Sequence, residues 1–161
     1  MSEAIAFAAH DRAGRYRELV PQLRALVAGE PDLIANLANV VAALRECVTA
    51  ASWIGFYVRR GAELVLGPFQ GKVACVRIAI GRGVCGTAAA ERRTVIVADV
   101  ATFPGHIACD ADTRSEIVVP IVRGGEVVAV LDLDSHAPAA FDDVDAAGLA
   151  DVARIASELA W

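Results

Sequence analysis

The sequence lacks the features of a membrane protein, a secreted protein and a nucleic-acid-binding protein. No apolar run among its 161 residues reaches the roughly 18 residues that a membrane-spanning helix needs. Glu3 lies where a secretory signal would carry basic residues. The formal net charge is -5, whereas binding to phosphate backbones needs clustered cations in excess. We therefore expect a cytoplasmic protein that binds neither membranes nor nucleic acid.

The four cysteines contain no C-x-x-C pair, and this weakens the case for a zinc site. They are Cys47, Cys75, Cys85 and Cys109. In a reducing compartment stable structural disulfides are rare, so we expect free thiols at rest. Three interpretations stay open for them: inert core residues, metal ligands or redox chemistry. The glycine-rich segment 81–86 lacks the Lys-Ser/Thr ending of a phosphate loop, so we expect neither a bound cofactor nor a metal.

What the chain has in abundance is apolar surface. Hydrophobic residues make up 56% and charged residues 22% of the sequence, which is typical of one globular domain with heavily buried strands. We predict a single domain over residues 1–161. One use for the apolar surplus is a subunit interface, and we expect a homodimer.

The periodicity of the apolar residues changes twice along the chain. Helical spacing over 11–28, and again after Pro31 to about residue 51, predicts two helices in the segment 1–51, with Pro21 expected to sharpen or break the first. Strand spacing follows over 52–135, with the segment 67–71 expected to leave the sheet as a loop. A final helix is predicted within 141–161.

Together these elements predict an α+β fold. It has roughly six antiparallel strands, helices packed on one face of the sheet and a ligand pocket on the other.

Several residue pairs suit a chemical site. Cys85 lies beside Arg82 at the predicted start of a short helix, where the helix N-terminus and a cation both favour a thiolate. Asp132 and Asp134 share one face of an otherwise apolar strand, so they need solvent, a cation or a ligand as partner. Trp53 and Tyr57 also share a face, and ordinary sheet packing would explain them equally well.

Cys109 lies in an irregular connection between two strands, three residues after His106. A thiol, an imidazole and carboxylates in one short loop have no obvious use in packing. His106 alone is as consistent with a hydrogen-bonding loop residue as with a ligand or an acid.

The motifs carried by residues 52–145 strongly resemble those of the free methionine-(R)-sulfoxide reductases, enzymes built on a GAF domain. The resemblance rests on three cysteines in order with their flanking residues, which many GAF domains that only bind ligands lack. The segments that carry it are WIGFY at 53–57, LGPFQG at 66–71, AC at 74–75, GRGVCGTA at 81–88, GHIACD at 105–110, SEIV at 115–118 and LDLDS at 131–135.

The resemblance implies a GAF-like fold and a redox reaction. Cys109 is implied as the nucleophile that attacks the sulfoxide sulfur and becomes a sulfenic acid. Cys85 is implied as the resolving thiol that forms a disulfide with it, and Cys75 as an auxiliary cysteine. The implied substrate is free methionine-(R)-sulfoxide, and thioredoxin is the implied external reductant.

The resemblance also implies which residues hold the substrate. The pocket carboxylates would be Glu116, Asp132 and Asp134, and the aromatic wall Trp53 and Tyr57. A carboxylate cluster would favour the ammonium group of a free amino acid. One carboxyl group kept protonated by its neighbours could also donate a proton to the sulfoxide oxygen.

Two alternatives to this function stay open. A GAF module could hold a small ligand without catalysis, or the same cysteines could act as a redox sensor that forms a disulfide but turns over no sulfoxide.

Overall fold

The computed structural model describes residues 4–161, so the prediction based on Glu3 lies outside the described residues. The helices are α1 (Arg12–Val27), α2 (Leu33–Cys47), α3 (Gly83–Glu91) and α4 (Asp143–Ser157). The strands are β1 (Trp53–Arg60), β2 (Glu63–Gln70), β3 (Arg77–Ala79), β4 (Val95–Val97), β5 (Ser115–Arg123) and β6 (Glu126–Ser135). A single 3-10 turn covers Val100–Thr102.

The strands form one six-stranded antiparallel sheet in the order β3-β2-β1-β6-β5-β4. Alternate residues of a strand face opposite sides of the sheet, so Ile54 and Phe56 of β1 join the core beneath α1, α2 and α4. Trp53 and Tyr57 join a second, smaller core on the other face, where α3 packs. The predicted α+β architecture, with most helices on one face and a pocket on the other, is confirmed.

Two strand boundaries differ from the prediction. The segment 67–71 was expected to be a loop, but β2 continues to Gln70 because the register shift between Gly55 and Tyr57 accommodates the strand around Pro68. The strand expected over residues 74–80 is shorter, since only Arg77–Ala79 pair with β2. The Val76 carbonyl still accepts from the Leu66 amide of β2, and Val73 and Ala74 before it line the pocket.

The expected break at Pro21 does not occur, and α1 runs through it. Proline removes one hydrogen bond to the carbonyl four residues earlier. Because Pro21 and Arg17 are both exposed, that carbonyl can bind water instead.

Two arginines of α1 contact the neighbouring helices α2 and α4. Arg12 binds Asp142 and Asp145 at the start of α4, and Asp145 also accepts a hydrogen bond of 3.0 Å from the Tyr16 hydroxyl. Arg15 donates to the Cys47 carbonyl at the end of α2. These contacts join α1 to both neighbouring helices. Cys47 is buried in the core, which fits the first of the three interpretations left open for the cysteines.

Within residues 4–161, no helix combines the length and apolar character that crossing a membrane requires.

Candidate active site

A pocket lies on the sheet face that carries α3. All of the predicted site residues except Cys75 line it, and Cys75 is bonded to one that does. Its free volume is about 40 Å³, room for only a few water molecules. The fold therefore gathers residues from β1, α3, β5, β6 and two loops at one place.

Trp53 and Tyr57 form an aromatic wall that Phe69 of β2 extends. The Trp53 ring centroid lies 5.4 Å from that of Phe69 and 6.0 Å from that of Tyr57, in stacked arrangements. Two glycines make room for the indole: a Cβ on Gly55 would lie 2.4 Å from Trp53 Cη2, and a Cβ on Gly71 would lie 2.4 Å from its Cδ1. Sequence reasoning missed these two glycines, although both lie within the quoted motifs.

The carboxyl groups converge because β5 and β6 are paired. Glu116 of β5 lies directly opposite Asp134 of β6. Asp132 lies two residues before Asp134 and on the same face of the sheet. Glu116 and Asp132 are 6% and 5% exposed, which is rare for carboxylates without a cation beside them.

Burial and mutual repulsion raise the pKa values of these three groups. Burial raises the pKa of Glu116 well above its ordinary value, and the charge of Asp134 adds to the effect. Burial and then the charge of Glu116 do the same to the pKa of Asp132. The pKa of Asp134 rises to about 9, through burial first and then the charges of Asp132 and Asp110. Near neutral pH Asp134 therefore holds a proton that it can donate.

One oxygen of this cluster has no partner. Asp132 Oδ1 is buried and makes no hydrogen bond within the described part of the chain. Buried polar atoms are rarely left unpaired, because doing so costs about 1–3 kcal/mol. Since Asp132 lines the pocket, a ligand carrying hydrogen-bond donors would satisfy this oxygen.

The structure pairs Cys109 with Cys75, not with Cys85. Their sulfurs are bonded and their Cα atoms lie 5.4 Å apart, although 34 positions separate them in sequence. The predicted Cys85–Cys109 disulfide is therefore wrong for this state. Cys85 does not reach Cys109 because it is buried in the first turn of α3. Cys109 is exposed and Cys75 is half-buried.

The prediction of a Cys85 thiolate is also wrong. Burial raises the pKa of the Cys85 thiol well above its ordinary value, and the nearby charges of Asp132 and Glu116 raise it further. The neutral thiol instead points at Glu116, with Sγ 3.9 Å from Oε1.

Close packing at the start of α3 brings Cys85 to the cluster. A Cβ on Gly86 would lie 2.4 Å from the Ala79 carbonyl oxygen at the end of β3. Only glycine at this position lets the first turn of the helix approach the sheet so closely.

His106 lines the pocket from the loop that carries Cys109. Its Nε2 lies 3.6 Å from Glu116 Oε2, and burial lowers the pKa of its imidazole. An imidazole this close to a carboxyl group whose pKa is raised can exchange a proton with it.

Within residues 4–161, two groups of side chains have donor atoms close enough together to hold a metal ion. One is the buried set Cys85, Glu116 and Asp132, and the other is the rim set Asp110, Asp112 and His136, each with donor atoms within 4.8 Å of one another. Lys72 contacts the second set, and a cation already held there competes with an ion. Sequence reasoning missed Lys72, Asp112 and His136, because the three loops that carry them are distant in sequence.

Comparison with known proteins places the site in context. The model of the GAF domain family matches residues 30–159. The free methionine-R-sulfoxide reductase of Escherichia coli is 51% identical over 134 residues, covering 83% of this chain and 81% of that protein. GAF domain-containing protein A of Dictyostelium discoideum is 46% identical over 156 residues, covering 96% of this chain and 98% of that protein.

Among solved structures, the free methionine-R-sulfoxide reductase of Neisseria meningitidis in complex with its substrate superposes with a TM-score of 0.94. It is 49% identical, and the match covers 98% of this chain and 95% of that one.

Proposed function

Because this chain belongs to the GAF-domain family of free methionine-(R)-sulfoxide reductases, we propose that it reduces free methionine-(R)-sulfoxide to methionine. One observation carries the proposal: the bonded pair Cys75 and Cys109 lies at a pocket that the buried Glu116 and Asp132 and the half-buried Asp134 line. A binding module needs the pocket but has no need of the accessible disulfide.

The carboxyl cluster gives a reason to prefer the free amino acid. The α-ammonium group of free methionine sulfoxide supplies the donors that Asp132 Oδ1 lacks, and hydrogen bonds from a charged donor are the strong ones. A methionine inside a peptide has no such group, so it would leave the oxygen unpaired.

In the proposed reaction the Cys109 thiolate attacks the sulfoxide sulfur. The sulfur–oxygen bond breaks as the oxygen moves to Cys109 as a sulfenic acid and methionine leaves. The oxygen needs a proton as it leaves the sulfur, and Asp134 is protonated at neutral pH because its pKa is about 9. The aromatic wall of Trp53 and Tyr57 would seat the S-methyl group.

The second step assigns the resolving role to Cys75. Its thiol attacks the Cys109 sulfenic sulfur, a disulfide forms and water leaves. Cys85 is not needed for this step. Its buried, neutral thiol is suited to holding Glu116 through the contact of 3.9 Å.

The proposal includes an external dithiol reductant, thioredoxin, that returns Cys75 and Cys109 to thiols. Cys109 is exposed, so an incoming thiolate can reach the disulfide. We place this cycle in the cytoplasm, where such reductants keep thiols reduced. We also propose a homodimer, which light scattering of the purified protein would test.

A coupled assay tests the reaction. NADPH oxidation through thioredoxin reductase and thioredoxin is followed with free methionine-(R)-sulfoxide, its S epimer and a peptide-bound sulfoxide. We expect turnover of the free R form alone, its loss in Cys109→Ser, and its retention in Cys47→Ser, the matched control from the core. Saturable binding of a small ligand without turnover, with dithiothreitol as well as thioredoxin, would favour the binding module instead.

A further inference from the structure

Two loops bring the paired cysteines together. The Cys75 loop, residues 71–76, joins β2 to β3, and the Cys109 loop, residues 103–114, leads into β5. The Cys75 loop is fixed to the aromatic wall: Trp53 Nε1 donates to the Lys72 carbonyl at 3.0 Å, and the Tyr57 hydroxyl donates to the Cys75 carbonyl at 2.9 Å.

Lys72 is the polar link between these loops. Its Nζ lies 3.2 Å from Asp110 Oδ1 and 2.7 Å from Asp112 Oδ2. Within residues 4–161, no other hydrogen bond or ion pair joins the Cys75 loop to the Cys109 loop. Lys72 precedes Cys75 by three residues and Asp110 directly follows Cys109, so this link lies beside the disulfide.

The carboxylate that receives Lys72 is itself held in place. Asp110 Oδ1 accepts a hydrogen bond of 3.0 Å from the Asp112 amide, and Oδ2 lies 3.0 Å from His136 Nε2. These bonds, the Asp112 amide first and then His136 and Lys72, lower the pKa of Asp110 to about 2. Asp110 therefore presents a fixed negative charge on the Cys109 loop at any pH at which the protein works.

We propose that Lys72 is a positioning residue for the resolving step: its ion pairs with Asp110 and Asp112 hold the Cys75 loop against the Cys109 loop so that the two sulfurs meet. The inference rests on the proposed function, since it concerns the disulfide of that cycle. The closing step itself is attack of the Cys75 thiol on the Cys109 sulfenic sulfur, with loss of water.

The size of the effect follows from the exposure of the pairs. The Lys72 side chain is 57% exposed, and exposed ion pairs are individually weak. Together, the two ion pairs of Lys72 should raise the effective concentration of the Cys75 thiol at Cys109 by about fivefold. Salt should reduce this change, because the screening length falls to about 3 Å at 1 M.

An equilibrium with glutathione tests the inference without any sulfoxide. The protein dithiol reacts with oxidised glutathione to give the protein disulfide and two reduced glutathiones, and peptide mapping after alkylation quantifies the Cys75–Cys109 bond. We expect Lys72→Met to lower the equilibrium constant about fivefold and Lys72→Arg to restore most of it. About 1 M salt should bring the wild type close to Lys72→Met while changing that variant little.

Arg77→Met is the matched control. Arg77 lies two residues after Cys75, is 59% exposed and pairs with Glu63 at 3.0 Å, away from the Cys109 loop. Arg77→Met removes the same charge near the same cysteine, so we expect it to keep the wild-type equilibrium constant. Equal constants for wild type, Lys72→Met and Arg77→Met would overturn the inference, as would an equal loss in both variants.

A single-turnover arm examines the step itself. Reduced protein is mixed with one equivalent of free methionine-(R)-sulfoxide, and dimedone traps the Cys109 sulfenic acid. We expect Lys72→Met to release methionine as fast as the wild type and to trap about fivefold more sulfenic acid at early times. Slower methionine release with unchanged trapping would overturn the positioning role. If no variant releases methionine, the proposed function fails, and the glutathione constants still decide the role of Lys72.

Discussion

Replacing Asp134 by asparagine should flatten the dependence of stability on pH. The pKa of Asp134 is about 9 in the folded protein, against an ordinary value of 3.8. Between these values the folded state holds a proton that the unfolded state has lost, so the contribution of Asp134 to stability is greatest below about pH 4 and falls as the pH rises toward about 9. The slope in that window is about 1.4 kcal/mol per pH unit.

Between about pH 6 and about pH 8, Asp134 should therefore lower the free energy of unfolding of the wild type by about 3 kcal/mol. This is a large share of the stability of a domain. Because asparagine cannot ionise, the free energy of unfolding of Asp134→Asn should fall by about 3 kcal/mol less than that of the wild type over this range. Urea unfolding at both pH values, with the Cys75–Cys109 disulfide intact, gives the free energies. Asp143→Asn, an exposed position in the first turn of α4, should keep the wild-type slope. Parallel slopes for wild type and Asp134→Asn would refute a protonated Asp134.

Further variants test the cysteine assignment and the close contacts. Cys75→Ser should release a single equivalent of methionine and stop with a Cys109 sulfenic acid, which mass spectrometry detects; repeated turnover in this variant would contradict the resolving role. Gly55→Ala would place a Cβ 2.4 Å from Trp53 Cη2, so the indole must shift, and we expect a KM raised about tenfold, measured by steady-state kinetics, since overpacking costs about 1–3 kcal/mol. Gly148→Ala would place a Cβ 2.2 Å from Tyr16 Cγ between α4 and α1, so thermal unfolding should show a loss of about 1–3 kcal/mol with an unchanged KM; an unchanged stability would contradict the tight helix contact.

The sheet and the pocket floor were predictable because strand periodicity is a local property. A spacing of two residues places Asp132 and Asp134 on one face in any strand, and a spacing of four does the same for Trp53 and Tyr57. Both pairs line the pocket, which the family resemblance and not the spacing implied. The change of period at residue 52 likewise located the start of the sheet, which begins at Trp53.

The cysteine pairing was not predictable, because it depends on the paths of two loops. Local reasoning placed Cys85 at a helix N-terminus and favoured its thiolate. In the fold, burial and the carboxylates of β5 and β6 outweigh the helix end, and they raise the pKa of the thiol. The bonds from Trp53 and Tyr57 to the Cys75 loop, which direct Cys75 to Cys109, join residues about twenty positions apart and leave no periodic signal.

The measurement that tests the central claim most directly is a single turnover with no reductant present. Fully reduced protein is mixed with excess free methionine-(R)-sulfoxide and quenched with acid; methionine is quantified, and the disulfides are mapped by mass spectrometry. The account predicts one equivalent of methionine and one new disulfide, between Cys75 and Cys109. No methionine, or methionine accompanied by a Cys85–Cys109 disulfide, would contradict it.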